Sequence, residues 1–245
     1  MKLKLMNLNM SLCFRRPVRK NKLAFSLLEL LLVIGVMATA VACLRPAVSD
    51  LTAGSNFSRS TYQISGALEQ ARSYAQSRNT YVYVAMAERD GLNPSQAGTG
   101  RMVFVVMASR DGTRGYDVNS PTQLSTDKLT PVTQPIILSG VQMTDVGATA
   151  ITRPAIQSVD YSLSSSTCAT PLTMTVNGTI YTFNKIIQFD PQGIARIQTS
   201  SNGDEVPVWI EVGIREMRGN TVPAKAQQGA VQVAGVSGMV KVYRQ

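Results

Sequence analysis

The sequence predicts an α+β chain: one long N-terminal helix, membrane-spanning in its first half, packed on a mainly antiparallel β-sheet domain. Three observations predict it. Residues 25–44 are an apolar run of 20 in which Glu29 is the only charge. Phe57, Thr61, Ile64, Leu68, Ala71 and Ala75 recur at alternating spacings of four and three, the stripe of a helix that packs on one side. From residue 80 onward, short β-branched and aromatic runs are separated by Gly, Pro, Asn and Asp, the pattern of antiparallel strands and turns.

At about 1.5 Å per residue, residues 25–44 make roughly 30 Å of helix, the thickness of a hydrocarbon core. Arg15, Arg16, Arg19, Lys20 and Lys22 precede the run, and no acid occurs among residues 1–24; Arg45 is the one basic residue close behind. This bias places the N-terminus in the cytoplasm and the bulk of the chain outside the inner membrane, as a single-pass protein. Glu29 is costly in such a segment and calls for a partner. Pro46 lacks an N–H and clashes with the preceding turn, so a kink or local melting is expected there, with residues 45–78 as the amphipathic continuation.

Asn79 ends the helix pattern, and residues 79–245 read as one β-rich domain. Strands are expected at 80–87, 102–107 and 135–143, with 109–128 as a polar surface excursion. Residues 162–170 form a Ser/Thr loop containing Cys168. Asn177-Gly178 predicts a tight hairpin over 172–183 in which Leu172, Met174, Val176, Tyr181 and Phe183 share a face. Asp190-Pro191-Gln192-Gly193 is a compact turn after the strand at 186–189. Val206, Val208, Ile210, Val212 and Ile214 alternate strictly, with Trp209, Glu211 and Arg215 on the opposite face, and the last strands fall at 231–233 and 239–243.

The chain carries 24 basic and 15 acidic residues, a formal charge of +9. Seven of the basic residues lie within 1–24; the remainder is 17 basic against 15 acidic, or +2. The high pI therefore reports topology rather than nucleic-acid binding. There is no histidine, which removes His-dependent triads, imidazole metal sites and the commonest general base. Of the three cysteines, Cys13 precedes the apolar run and Cys43 lies in it, so Cys168 has no partner in the outer domain and no internal disulfide is expected.

Phe25-Ser26-Leu27-Leu28-Glu29-Leu30-Leu31, behind a basic leader, resembles the N-terminus of type IV prepilins and of the pseudopilins of type II secretion. Leu68-Glu69-Gln70-Ala71-Arg72, the Phe189-Asp190-Pro191 turn and the closing Gly238-Met239-Val240 also resemble, less specifically, the H-type minor pseudopilins and the pilin-like proteins of Verrucomicrobia. The resemblance implies a pilin-like fold and cleavage between Ala24 and Phe25 by a prepilin peptidase, which removes residues 1–24 and methylates the new amine. It also implies that Glu29 serves filament assembly, commonly by pairing with a neighbour's N-terminal amine. Ala24 departs from the glycine usual there but keeps the small size. The implied partners are other pilin or pseudopilin subunits, the prepilin peptidase and an inner-membrane assembly platform. Alternatives stay open: an uncut signal anchor, ordinary signal-peptide cleavage after the apolar run, where Ala40 and Ala42 fit, or a lipoprotein, since Ala40-Val41-Ala42-Cys43 is a degenerate lipid-attachment box.

No catalytic site is expected. Ser125 and Lys128 match a Ser-x-x-Lys spacing without the other parts of an acyl-transfer site. Asp111, Asp117 and Asp127 are the acids a loop-bound calcium would use, but they are too scattered for an EF-hand, so no cofactor or metal is assigned. Two function classes follow: a non-enzymatic structural subunit, a minor one, of a pilus or secretion pseudopilus, or a membrane-anchored binding or adhesion domain that does not polymerise.

Overall fold

The structure, a computed structural model, describes residues 26–116, 124–147, 150–153, 161–168, 170–176, 178–197 and 206–244, without the side chains of 44–53 and 176. The chain divides into two units, Met1–Pro46 and Ala47–Gln245. One α-helix, α1 (Leu27–Arg78), contains the boundary. Its described side chains fall in two stretches, 27–43 in the first unit and 54–78 in the second.

The two stretches differ in sidedness. Residues 27–43 are exposed along their whole length. In 54–78, Phe57, Ile64, Leu68, Ala71 and Ala75 are buried and join the main core, as their spacing predicts. The helix ends as its sequence dictates. Asn79 adopts φ 50°, and the Thr80 N–H reaches back to Ala75 O at 3.1 Å, closing the last carbonyls.

Thirteen strands follow among the described residues: β1 (Val82–Asp90), β2 (Gly100–Ser109), β3 (Leu129–Pro131), β4 (Ile136–Ser139), β5 (Val141–Met143), β6 (Tyr161–Ser162), β7 (Leu172–Val176), β8 (Thr179–Phe183), β9 (Lys185–Phe189), β10 (Ala195–Arg196), β11 (Trp209–Glu216), β12 (Gln228–Ala234) and β13 (Val240–Arg244). The first sheet runs β10-β9-β1-β2-β3, with β4 also on β2. The second runs β13-β12-β11-β5, with β6 parallel to β11. β7 and β8 form a separate hairpin in the register that Asn177-Gly178 predicts, Val176 opposite Thr179.

The first sheet is buried on both faces, which is why β1 and β2 read as almost unbroken apolar runs. Val82, Val84, Met86, Phe104 and Val106 join the core shared with α1 and the second sheet. Tyr83, Ala85, Val103, Val105 and Met107 face a second cluster, closed by Leu172, Tyr181 and Phe183 of the hairpin and by Leu124 and Leu129. Cys168 is buried in that cluster, its N–H donating to Asn184 O at 2.8 Å, so this part of the Ser/Thr loop is packed.

The expected fold class needs correction. The described residues are mostly β-sheet, in two main sheets rather than one, and only the 54–78 stretch of α1 joins their core; a long apolar helix packed on one sheet is not seen. Among the described residues no helix is long and apolar enough to cross a membrane. Residues 27–43 are apolar apart from Glu29 and exposed throughout, so they lack the one-sided stripe that docks a helix on a sheet, whereas 54–78 has one. The second correction lies at 135–143, expected as one strand. Gly140 takes φ 75°, a left-handed turn that lets the chain leave the first sheet after β4 and enter the second as β5.

Candidate functional site

Of the residues singled out by sequence, Ala24 and Phe25 lie outside the described residues. Glu29 stands in the first turn of α1, where the exposed N–H groups favour a negative charge. It is exposed among exposed leucines, Leu27 and Leu28 before it and Leu30 to Leu32 after it. No hydrogen bond or ion pair engages its carboxylate among the described residues, so it is chemically available to a cation or N–H donor. Pro46 sits within α1 at the boundary between the units, its side chain outside the described residues. Of these four, Glu29 is the one whose side chain the structure describes.

Of the loop acids, Asp111 and Asp127 are among the described residues. Asp111 Oδ1 accepts from the Thr113 N–H at 2.9 Å and from the Thr113 and Ser109 hydroxyls at 2.7 and 2.8 Å. These donors, the Thr113 N–H foremost, hold its pKa down to about 2. Asp117 lies outside the described residues, and Asp127 sits in a 3-10 turn (Thr126–Lys128). No group of three potential metal ligands forms among the described residues.

Two polar constellations escaped the sequence reading. The first is at the seam between the sheets. Glu88 Oε1, on β1, accepts the Met143 N–H of β5 at 2.8 Å and so ties one sheet to the other. Burial pushes the Glu88 carboxyl above its usual range, partly offset by that N–H. Lys185 Nζ donates to Ser164 O at 2.7 Å and to Ser166 O, while burial pulls its pKa down. Asp145 accepts from the Ser162 and Ser164 hydroxyls. Burial acts to raise Asp145, but the serine donors outweigh it and the net shift is downward. An adjoining hollow of about 370 Å³ is lined by Glu88, Lys185 and Arg89. Arg89 Nη2 donates to Ile180 O at 2.9 Å, and its guanidinium lies 4.2 Å from the Tyr181 ring centroid. Each charge here already serves a protein group, and the arrangement fixes loops and sheets.

The second constellation lies on the far face of β11. Glu211 is 1% exposed and receives a fork from Arg153, Nε at 2.6 Å and Nη2 at 2.8 Å, with Gln232 Nε2 adding a bond at 2.9 Å. Arg153 also donates to Val146 O and, at 3.2 Å, to Gly147 O. The fork holds 144–147 and 150–153 over the sheet, where Val146 and Ile151 pack on Ala230. The signal was present but faint: an acid between apolar residues in mid-strand, two residues before Gly213. A Cβ at Gly213 would stand 2.1 Å from Thr144 O, so only glycine admits this overlying segment.

An open hollow of about 800 Å³ lies between Ser58, residues 222–228 and Arg244. Arg244 is steadied by the Ser58 hydroxyl at 2.8 Å and by the Tyr62 ring, 5.1 Å away. No protein-family model, no curated protein and no solved structure matches the chain.

Proposed function

We propose that the chain is a structural subunit, a minor one, of a type IV pilus or a type II secretion pseudopilus, and that it does no catalysis of its own. The observation that carries this reading is the run Phe25-Ser26-Leu27-Leu28-Glu29-Leu30-Leu31 behind a leader with seven basic residues and no acid. The exposed, unengaged Glu29 in the first turn of α1 supports it, because an assembly carboxylate must stay open to the amine of a neighbouring subunit. In this reading a prepilin peptidase cuts after Ala24, Phe25 is methylated, and subunits join at the inner membrane with the β unit on the outer side. Replacing Glu29 with alanine is expected to leave cleavage intact and to lower incorporation into filaments severalfold; normal incorporation of that variant sinks the assembly role.

The lipid-attachment box ending at Cys43 favours a second reading, an anchored binding domain that never polymerises. The intact mass and N-terminal sequence of the protein from native membranes separate the two. A chain starting at N-methylated Phe25 fits the subunit, and one starting at lipidated Cys43 fits the anchor.

A further inference from the structure

β4 is an edge strand whose only partner among the described residues is β2. The Gly140 N–H donates to Gly100 O at 2.9 Å, which sets the phase of that ladder. In an antiparallel pair, opposed residues alternate between those that exchange hydrogen bonds and those that turn their polar groups away. Gly140 opposite Gly100 is a bonded position, so Leu138 opposite Met102 and Ile136 opposite Phe104 are bonded too. Ile137 and Ser139 therefore turn their N–H and C=O groups outward, and no described residue meets them. Facing this open edge is the 54–78 stretch of α1, which presents Asn56, Arg59, Ser60 and Gln63 across a hollow of about 220 Å³. Arg59 is exposed and has no ion-pair partner among the described residues. The other helix side chains on this wall are uncharged.

We propose that this groove is a β-addition site for an extended peptide segment of a partner protein, and that the segment carries a carboxylate. Its backbone would pair with the outward groups of Ile137 and Ser139, as peptides do on open sheet edges. At about 3.4 Å per residue, β4 offers room for a strand of about four residues. Ile137, 44% exposed, gives that strand an apolar contact. Arg59 selects the charge: it is the one charged residue lining the hollow, so an acidic side chain or a terminal carboxylate completes the pair. Asn56 and Gln63 supply amide donors and acceptors on the helix wall. The proposal stands on the edge geometry and holds whether or not the chain enters a filament.

The test uses the full chain in detergent micelles and two fluorescein-labelled peptides, Thr-Val-Glu-Val-Thr and Thr-Val-Lys-Val-Thr, followed by anisotropy and by amide exchange. The glutamate peptide is expected to bind about tenfold more tightly than the lysine peptide and to slow exchange at Ile137 and Ser139. Ile137→Pro removes an outward N–H and no ladder bond, and is expected to weaken binding about tenfold. Arg59→Glu, an exposed helix substitution, is expected to invert the preference between the peptides. Absence of binding by both peptides, equal affinities, or binding that survives Ile137→Pro overturns the proposal. So does concentration-dependent self-association of the peptide-free chain that Ile137→Pro abolishes, because the occupant would then be a second copy.

Discussion

Glu211 sits mid-strand in β11, and its charge is tolerable there because Arg153 forks onto both oxygens while Gln232 adds a third donor. Removing one partner of such a pair strands the other charge away from water. Glu211→Ala is expected to cost about 3–5 kcal/mol in urea unfolding, and the double variant Arg153→Met, Glu211→Leu is expected to recover most of it. Other carboxylates couple stability to pH with opposite signs. Asp111, held down at about 2, binds fewer protons folded than unfolded. Its contribution is present above the ordinary carboxylate range and is lost as pH falls toward about 2. Glu88, pushed up by burial, binds its proton more tightly when folded. Its contribution is full below the unfolded pKa and is lost as pH rises through the folded one. Glu88→Gln is therefore expected to flatten the decline in stability above about pH 4.5, measured by denaturation across a pH series, with the acid-side loss left in place.

At the scale of elements, Gly140 is the point where the chain passes from one sheet to the other. An added Cβ would face Met217 O at 3.3 Å on a backbone at φ 75°. Gly140→Val is expected to cost about 1–3 kcal/mol and to speed amide exchange at Met217, whose N–H bonds to Gly140 O at 2.9 Å. Features with a local cause were legible in the sequence. Asn177-Gly178 gave the hairpin register, Asn79 the helix end, and the spacing from Phe57 to Ala75 the buried face of α1. The Asp190 turn is held as its residues suggest, with Asp190 Oδ1 accepting from the Gln192 and Ile194 N–H groups. What failed needed partners distant in sequence. Residues 135–143 are apolar enough for one strand, and only the presence of two sheets makes Gly140 a junction. Alternation puts Glu211 on a polar face because it cannot announce that 144–147 and 150–153 cover it. Val208 was assigned to the apolar face but is 53% exposed, since β11 begins only at Trp209. Of the predicted processing and assembly residues, only Glu29 has a described side chain, and its motif speaks through resemblance rather than through packing.

For the whole molecule, the main buried cluster draws, among the described residues, on Phe57 and later ones only. A chain beginning at Ala47 is therefore expected to have an unfolding free energy within about 0.5 kcal/mol of the full-length protein, measured by urea denaturation followed at Trp209. That outcome would mark the β unit as a separate folding body. The order of strands also has a kinetic side. β1 and β2 meet through a short connection, but the other neighbour of β1 is β9, and Val82 lies opposite Phe189 across more than 100 residues of intervening chain. Closing so long a loop costs entropy before any contact repays it, so the sheet must be completed late and slowly. Until β9 arrives, β1 has one bare margin flanked by Val82, Val84 and Met86, a sticky template for any other extended chain nearby. A chain with this topology spends its most vulnerable interval after synthesis of β2 and before β9 docks, and an escort that shields β1 during that interval would matter more than one that acts on the finished fold.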